Sequence, residues 1–127
     1  MRLFKSKAFD RFAQSSKITD ADLWEAVERA EKGLIDADLG GKVIKQRIAR
    51  DGEGKSGGFR SIIFYKTSER AVFVYGFKKS ALDNIDSKEL KNFKDSAKFV
   101  LKLSDKELAT AIKHGAFIEV PTPTEEK

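Results

Sequence analysis

Cysteine is absent from the 127 residues, which excludes disulfides and thiolate metal sites. Histidine occurs once, at 114, so there is no second imidazole for a zinc site or a histidine-based dyad. No apolar run reaches the roughly 18 residues that span a bilayer. The opening Met1-Arg2-Leu3-Phe4-Lys5-Ser6-Lys7 also lacks the apolar stretch of a secretory signal. These absences are compatible with a cytoplasmic chain and lead to the expectation of no thiolate or histidine metal site and no membrane span. The length suits one domain, expected over 1–120, with the polar stretch 121–127 expected to be a disordered tail.

What is present is charge, unevenly placed. The net charge is +5. Residues 40–80 hold ten Lys or Arg against three acids, a net of +7, while the remainder holds fifteen against seventeen. The positive surplus therefore lies in one third of the chain, and a one-sided field of that sign attracts polyanions, nucleic acid above all.

Three helix starts share one arrangement. Thr19 precedes Asp22 by three residues, with Ile18 and Leu23 flanking as a hydrophobic staple requires; Asp86 with Glu89 and Ser104 with Glu107 repeat it. Leu23, Val27, Ala30 and Leu34 form one apolar stripe, and Leu90, Phe93, Ala97 and Val100 another. Gly33 and Gly115 are natural stops. A shorter helix over 6–15 would put Phe9, Phe12 and Ala13 on one face. Between these helices, 43–49, 59–66 and 70–78 are rich in Val, Ile, Phe and Tyr and read as strands. Gly52, Gly54, Gly57 and Gly58 read as a flexible loop between the first two, and Thr67-Ser68-Glu69 as a hairpin turn. Leu3-Phe4 and Phe117-Ile118 offer further edge pairing. The fold class is α+β: an antiparallel β-sheet with helices packed on one face, the other left open for the basic residues.

Few residues are placed for acid–base work. His114 sits at a helix end before Gly115, where a cation complements the helix dipole. The carboxylates lie mostly on helix faces, a poor arrangement for a Mg clamp. Gly52-Glu53-Gly54-Lys55-Ser56 lacks the spacing of a phosphate loop and leads into a strand. What remains is cationic. Alternation places Lys45 and Arg47 on one side of their strand, opposite Ile44 and Ile48. Lys55 sits in the glycine loop with Arg50 just before it, Arg60 opens the apolar strand, and Lys78 and Lys79 close the last one. An arginine in an apolar strand is costly unless paired. Arg60 is therefore either bridged to Asp51, Glu53 or Glu69, or held for an anionic ligand, while Lys55 reads equally as a solvated loop lysine. Such a cluster can cleave RNA, because the ribose 2′-hydroxyl is a nucleophile already tethered beside its phosphate. Cations stabilise the charge that develops on phosphorus, and crowded lysines can release a base.

The stretch Arg47-Ile48-Ala49-Arg50-Asp51-Gly52-Glu53-Gly54-Lys55-Ser56-Gly57-Gly58-Phe59-Arg60-Ser61-Ile62-Ile63-Phe64-Tyr65, with Val74-Tyr75-Gly76-Phe77-Lys78-Lys79 after it, resembles the HigB/RelE-type toxins of bacterial type II toxin–antitoxin systems. The likeness in order and spacing runs over roughly 1–103. It implies a microbial-RNase-like fold and a toxin that enters the ribosome and cuts mRNA without metal or cofactor. The implied partners are the ribosome, mRNA and a cognate antitoxin, expected to be of helix-turn-helix type. By position, Arg60, Lys55, Arg47 and Lys79 would be catalytic, and Lys45, Arg50 and Lys78 would bind RNA. The family's helix-borne tyrosine or histidine has no counterpart around 83–99. Tyr65 and Tyr75 could substitute, although both fall in strands that read as buried. The related ParE-type toxins, which poison gyrase, generally lack the basic glycine stretch. A non-catalytic nucleic-acid-binding module is the third reading of the same patch.

Overall fold

The structure, a computed structural model, describes residues 1–50, 54–78 and 85–123; for Arg50 and for 54–57 it describes the backbone alone. Its helices begin where capping chemistry dictates. Thr19 Oγ1 accepts from the Asp22 N–H at 3.2 Å while Asp22 Oδ2 accepts from the Thr19 N–H at 2.9 Å, opening α2 (Asp20–Glu31). Ser104 and Glu107 make the same reciprocal pair at the start of α4 (Asp105–Lys113). Asp86 accepts from the Glu89 N–H at 2.7 Å to open α3 (Ser87–Val100). The short helix is α1 (Lys7–Ser15), capped by Ser6.

The stops are equally chemical. At the end of α2 the Leu34 N–H donates to the Arg29 carbonyl and the Gly33 N–H to that of Ala30, with Gly33 at φ +84°. This 6→1, 5→2 pair is a Schellman cap, and Ala116 with Gly115 (φ +82°) repeats it after α4. The cap turns the chain away before Leu34, which is 59% exposed and not part of the buried stripe expected of it.

Among the described residues the sheet has six strands in the order β2-β3-β4-β5-β1-β6: β2 is Ala37–Gly40, β3 Val43–Arg50, β4 Gly54–Lys66, β5 Arg70–Lys78, β1 Arg2–Ser6 and β6 Phe117–Val120. The β3-β4-β5 meander is antiparallel, as expected, and the β1–β5 pair is parallel. Leu3-Phe4 and Phe117-Ile118 do pair, as β1 and β6. The α+β class stands, but the helices occupy both faces rather than one. Alternation explains the division. Ile44, Ile48, Phe59, Ile63 and Phe73 point to the side where α1 and α2 bury Phe9, Leu23 and Val27. Val43, Ile62, Phe64 and Val72 point to the side where α3 and α4 bury Ala97, Val100 and Leu108. Since both sheet faces are apolar over most of their length, each needs a cover.

The glycine stretch also differs from its reading as a flexible loop. β4 already begins at Gly54, which pairs with Arg50, and the register shifts between Ile48 and Arg50 where β4 carries extra residues. Residues 51–53 lie outside the described residues. At Gly58 a Cβ would fall 2.4 Å from the Ile48 carbonyl oxygen, so this glycine permits close approach of two strands. Gly76 admits the Phe12 ring in the same way, at 2.3 Å from where a Cβ would stand.

Candidate nucleic-acid interface

Strand register sets the site. On the α3 side of the sheet, residues lie in rows across β3, β4 and β5. The first row is Val43, Phe64 and Val72; the second is Lys45, Ile62 and Tyr75; the third is Arg47, Arg60 and Phe77. Apolar side chains thus give way to cations toward one end of the strands. The basic residues are not on an open sheet face, as expected, but on the part of the α3 face beyond its apolar rows.

Arg47 and Arg60 are directly opposed, which puts their Cβ atoms about 5 Å apart and like charge against like charge. Arg47 is steadied by an acid: its Nη1 lies 3.9 Å from Asp36 Oδ1, a carboxylate shared with Arg29 at 4.0 Å. Among the described residues Arg60 has no such partner. Its Nη1 is buried without a hydrogen bond, and Glu69, one of the acids considered for it, pairs with Lys66 at 3.1 Å. The other two, Asp51 and Glu53, lie outside the described residues. A buried cationic donor left unsatisfied costs about 1–3 kcal/mol or more. Among the described residues two unfavourable terms thus meet at one point, an unsatisfied Nη1 and a like-charge pair, and an anion such as phosphate would offset both.

Of the sequence-selected residues, the structure brings Lys45, Arg47 and Arg60 together. Lys78 pairs with Phe59 and therefore points to the opposite side. Lys55 belongs to β4, not to a loop, and Arg50 ends β3, but their side chains are outside the described residues, as is Lys79 altogether. His114 is the exposed C-cap of α4, at a helix end as expected.

The two tyrosines part company. Tyr65 is buried and donates its hydroxyl to Glu31 Oε2, on the α2 side. Burial and that bond push its pKa up to about 12. Burial works to raise the Glu31 carboxyl as well, but the bonds from Tyr65 and from the Ser68 N–H at 2.9 Å outweigh it and hold the group below its ordinary value. Tyr65 thus contributes stability that is intact below pH 10 and is lost as pH rises from its ordinary value of 10 toward 12. Glu31 contributes stability that is intact above its ordinary 4.5 and is lost as pH falls below it. In a Tyr75→Phe background one tyrosine remains, and its ultraviolet titration is expected near 12. Adding Glu31→Gln is expected to move that titration down toward 10; an unmoved titration would refute the coupling.

Tyr75, read from sequence as buried, is 47% exposed. Its strand bulges: Ile62 faces Tyr75 while Ile63 faces Phe73, so Val74 and Tyr75 together oppose a single step of β4. The bulge turns Tyr75 onto the cationic side. Simple alternation could not have found it.

A second basic cluster lies at the other end of the strands. A cavity of about 420 Å³ is lined by Lys42, Lys66, Lys94, Lys98 and Lys102 over Ala97 and Leu101. Lys94, Lys98 and Lys102 recur every four residues, a spacing that stacks like charges on one helix face. The sequence count credited the positive surplus to 40–80, and folding joins two of those lysines to three from around α3.

Among the described residues no helix is long and apolar enough to cross a membrane, and no three His, Asp or Glu side chains are grouped to hold a metal ion. No curated protein matches the chain. A family model does: that of the RelE toxin of the RelE/RelB toxin–antitoxin system matches residues 1–120, a span containing all six strands and the whole Lys45–Arg47–Arg60 cluster. By that match the chain belongs to the RelE toxin family, and an antitoxin is its partner.

Proposed function

We propose that this RelE-family chain is a HigB/RelE-type endoribonuclease of the bacterial cytoplasm that cuts mRNA on the ribosome, with 1–120 as the toxin domain. The observation that carries the reading is the buried, unpartnered Nη1 of Arg60 beside Arg47 and Lys45 on one side of the sheet. Three cations around one point suit a phosphodiester better than any neutral ligand.

The chemistry needs little else. The 2′-oxygen attacks phosphorus and forms the new P–O bond; the P–O5′ bond breaks, leaving a 2′,3′-cyclic phosphate and a 5′-hydroxyl. The proton lost from the 2′-hydroxyl is balanced by one gained at the 5′-oxygen. Arg60 and Arg47 hold the non-bridging oxygens, where charge grows, and their guanidinium forks fix the phosphate's orientation. Lys45, in the adjacent row, adds its charge to the surface that binds the RNA. Positioning by the ribosome supplies the alignment that an isolated patch lacks. In this reading Lys55 and Lys79 are further catalytic cations and Arg50 an RNA contact, Lys78 is left out because it faces the other side of the sheet, and an antitoxin of helix-turn-helix type blocks the site.

Primer extension on translated mRNA after induction tests the function. Cuts in register with codons are the expected result. Intact transcripts with supercoiling defects would mean a gyrase poison, and neither effect would mean a non-catalytic binding module.

A further inference from the structure

Tyr75 is half-exposed on the cationic side of the sheet, in an unusual setting. Its ring lies 5.8 Å from that of Phe77 and 6.1 Å from that of Phe93, and Phe93 lies 6.3 Å from Phe64. Phe77 is buried and Phe93 half-buried, so Tyr75 is the exposed member of an aromatic row anchored in the core. Its two ring neighbours are tilted by 38° and 43°, so neither stacks parallel on it. Among the described residues its hydroxyl has no hydrogen-bond partner, in contrast to that of Tyr65.

Register fixes its distance from the cations. Arg60 pairs with Phe77 and Ile62 with Tyr75, so Arg60 and Tyr75 are diagonal neighbours on adjacent strands. Diagonal positions lie about 7–8 Å apart, within mutual reach of long and aromatic side chains. One phosphate-seeking guanidinium and one exposed ring at that separation match the two ends of a nucleotide. Rings held rigidly from below are what single-stranded RNA uses as stacking platforms, since every base has a π-face.

We propose that Tyr75 forms a base-stacking subsite that takes a nucleobase of single-stranded RNA, from a nucleotide adjoining the phosphate held by Arg60. The inference rests on the RNA-cleaving reading of the site and adds to it the part of the nucleotide that the cations cannot recognise. The bulge at Val74 and Tyr75 is then the feature that aims the ring, and the Phe77–Phe93 flank is what keeps it from folding away.

The test is fluorescence anisotropy at low salt with two labelled, uncleavable 2′-O-methyl oligoribonucleotides of equal length, one with bases and one abasic. Tyr75→Ala is expected to weaken binding of the base-bearing strand roughly tenfold and to leave the abasic strand unchanged. Tyr75→Phe is expected to bind both as the unmodified chain does. Tyr75→Leu, which keeps bulk against Phe77 and Phe93 but has no π-face, is expected to behave as alanine does, so a folding defect in the alanine variant does not decide the matter. Equal loss on both strands, no loss with either alanine or leucine, or a loss with phenylalanine as large as with alanine would each overturn the subsite. If binding depends on Arg60 but not on Tyr75, the subsite alone falls. If the unmodified chain binds neither strand, the RNA reading falls with it.

Discussion

Replacing Arg60 with alanine is expected to abolish growth inhibition by the induced chain and to slow mRNA cleavage by about 10²- to 10³-fold, the usual cost of deleting one donor to a developing oxyanion. The melting temperature is expected to stay within a few degrees. The reason for that asymmetry is local. Among the described residues the buried Nη1 makes no hydrogen bond, and the opposed Arg47 repels it, so truncation removes two unfavourable terms along with the packing of the aliphatic stem. Arg60→Lys is expected to restore little, because an ammonium cannot present a planar fork to two phosphate oxygens. A toxic Arg60→Ala variant, or one that fails to fold, would remove Arg60 from the role assigned to it.

The opposite pattern is expected at Gln46, on the neighbouring strand β3 and facing the other side of the sheet. Gln46 is 0% exposed and ties β3 to the end of α2: its Nε2 donates to the carbonyls of Ala26 and Leu34 at 3.0 Å, and its Oε1 accepts from the Asp36 N–H at 2.9 Å. Gln46→Leu keeps the volume but loses three hydrogen bonds, one buried and two partly buried. The expected loss is about 3 kcal/mol, at about 1 kcal/mol for each bond. For a chain of this length that lowers the melting temperature by about 10 °C. The effect reaches the site, because Asp36, which steadies Arg47, is held through the same side chain. Thermal denaturation followed by circular dichroism measures it, and a shift under 3 °C or so would show that these bonds contribute little.

Helix boundaries were legible because capping is local: Thr19–Asp22, Asp86–Glu89 and Ser104–Glu107 each declare a start within four residues. The three main strands were legible for a related reason, since Val, Ile and Phe runs bounded by turn residues leave few alternatives. Alternation alone correctly set Lys45 and Arg47 apart from Ile44 and Ile48. What escaped depends on partners distant in sequence. The edge strand Ala37–Gly40 contains aspartate and glycine and pairs only because β3 offers it an edge. The placement of helices on both faces follows from the apolarity of both strand faces, which a continuous run such as Ile62-Ile63-Phe64 displays but does not assign. Tyr75 was misread because one bulge reverses the inside–outside sense of everything beyond it. The importance of Gln46 was hidden for the same reason that Arg60 stood out: a polar residue in a strand announces a cost, and only the fold reveals whether a partner meets it.

In the proposed function the cationic row cleaves RNA by positioning a phosphodiester for attack by its own ribose. Cleavage of ribosome-bound mRNA carrying a single 2′-deoxynucleotide immediately 5′ of the cut tests it most directly. No product is expected from that template, and a 2′,3′-cyclic phosphate end is expected from its all-ribose twin. Equal cutting of both templates would contradict the proposed function.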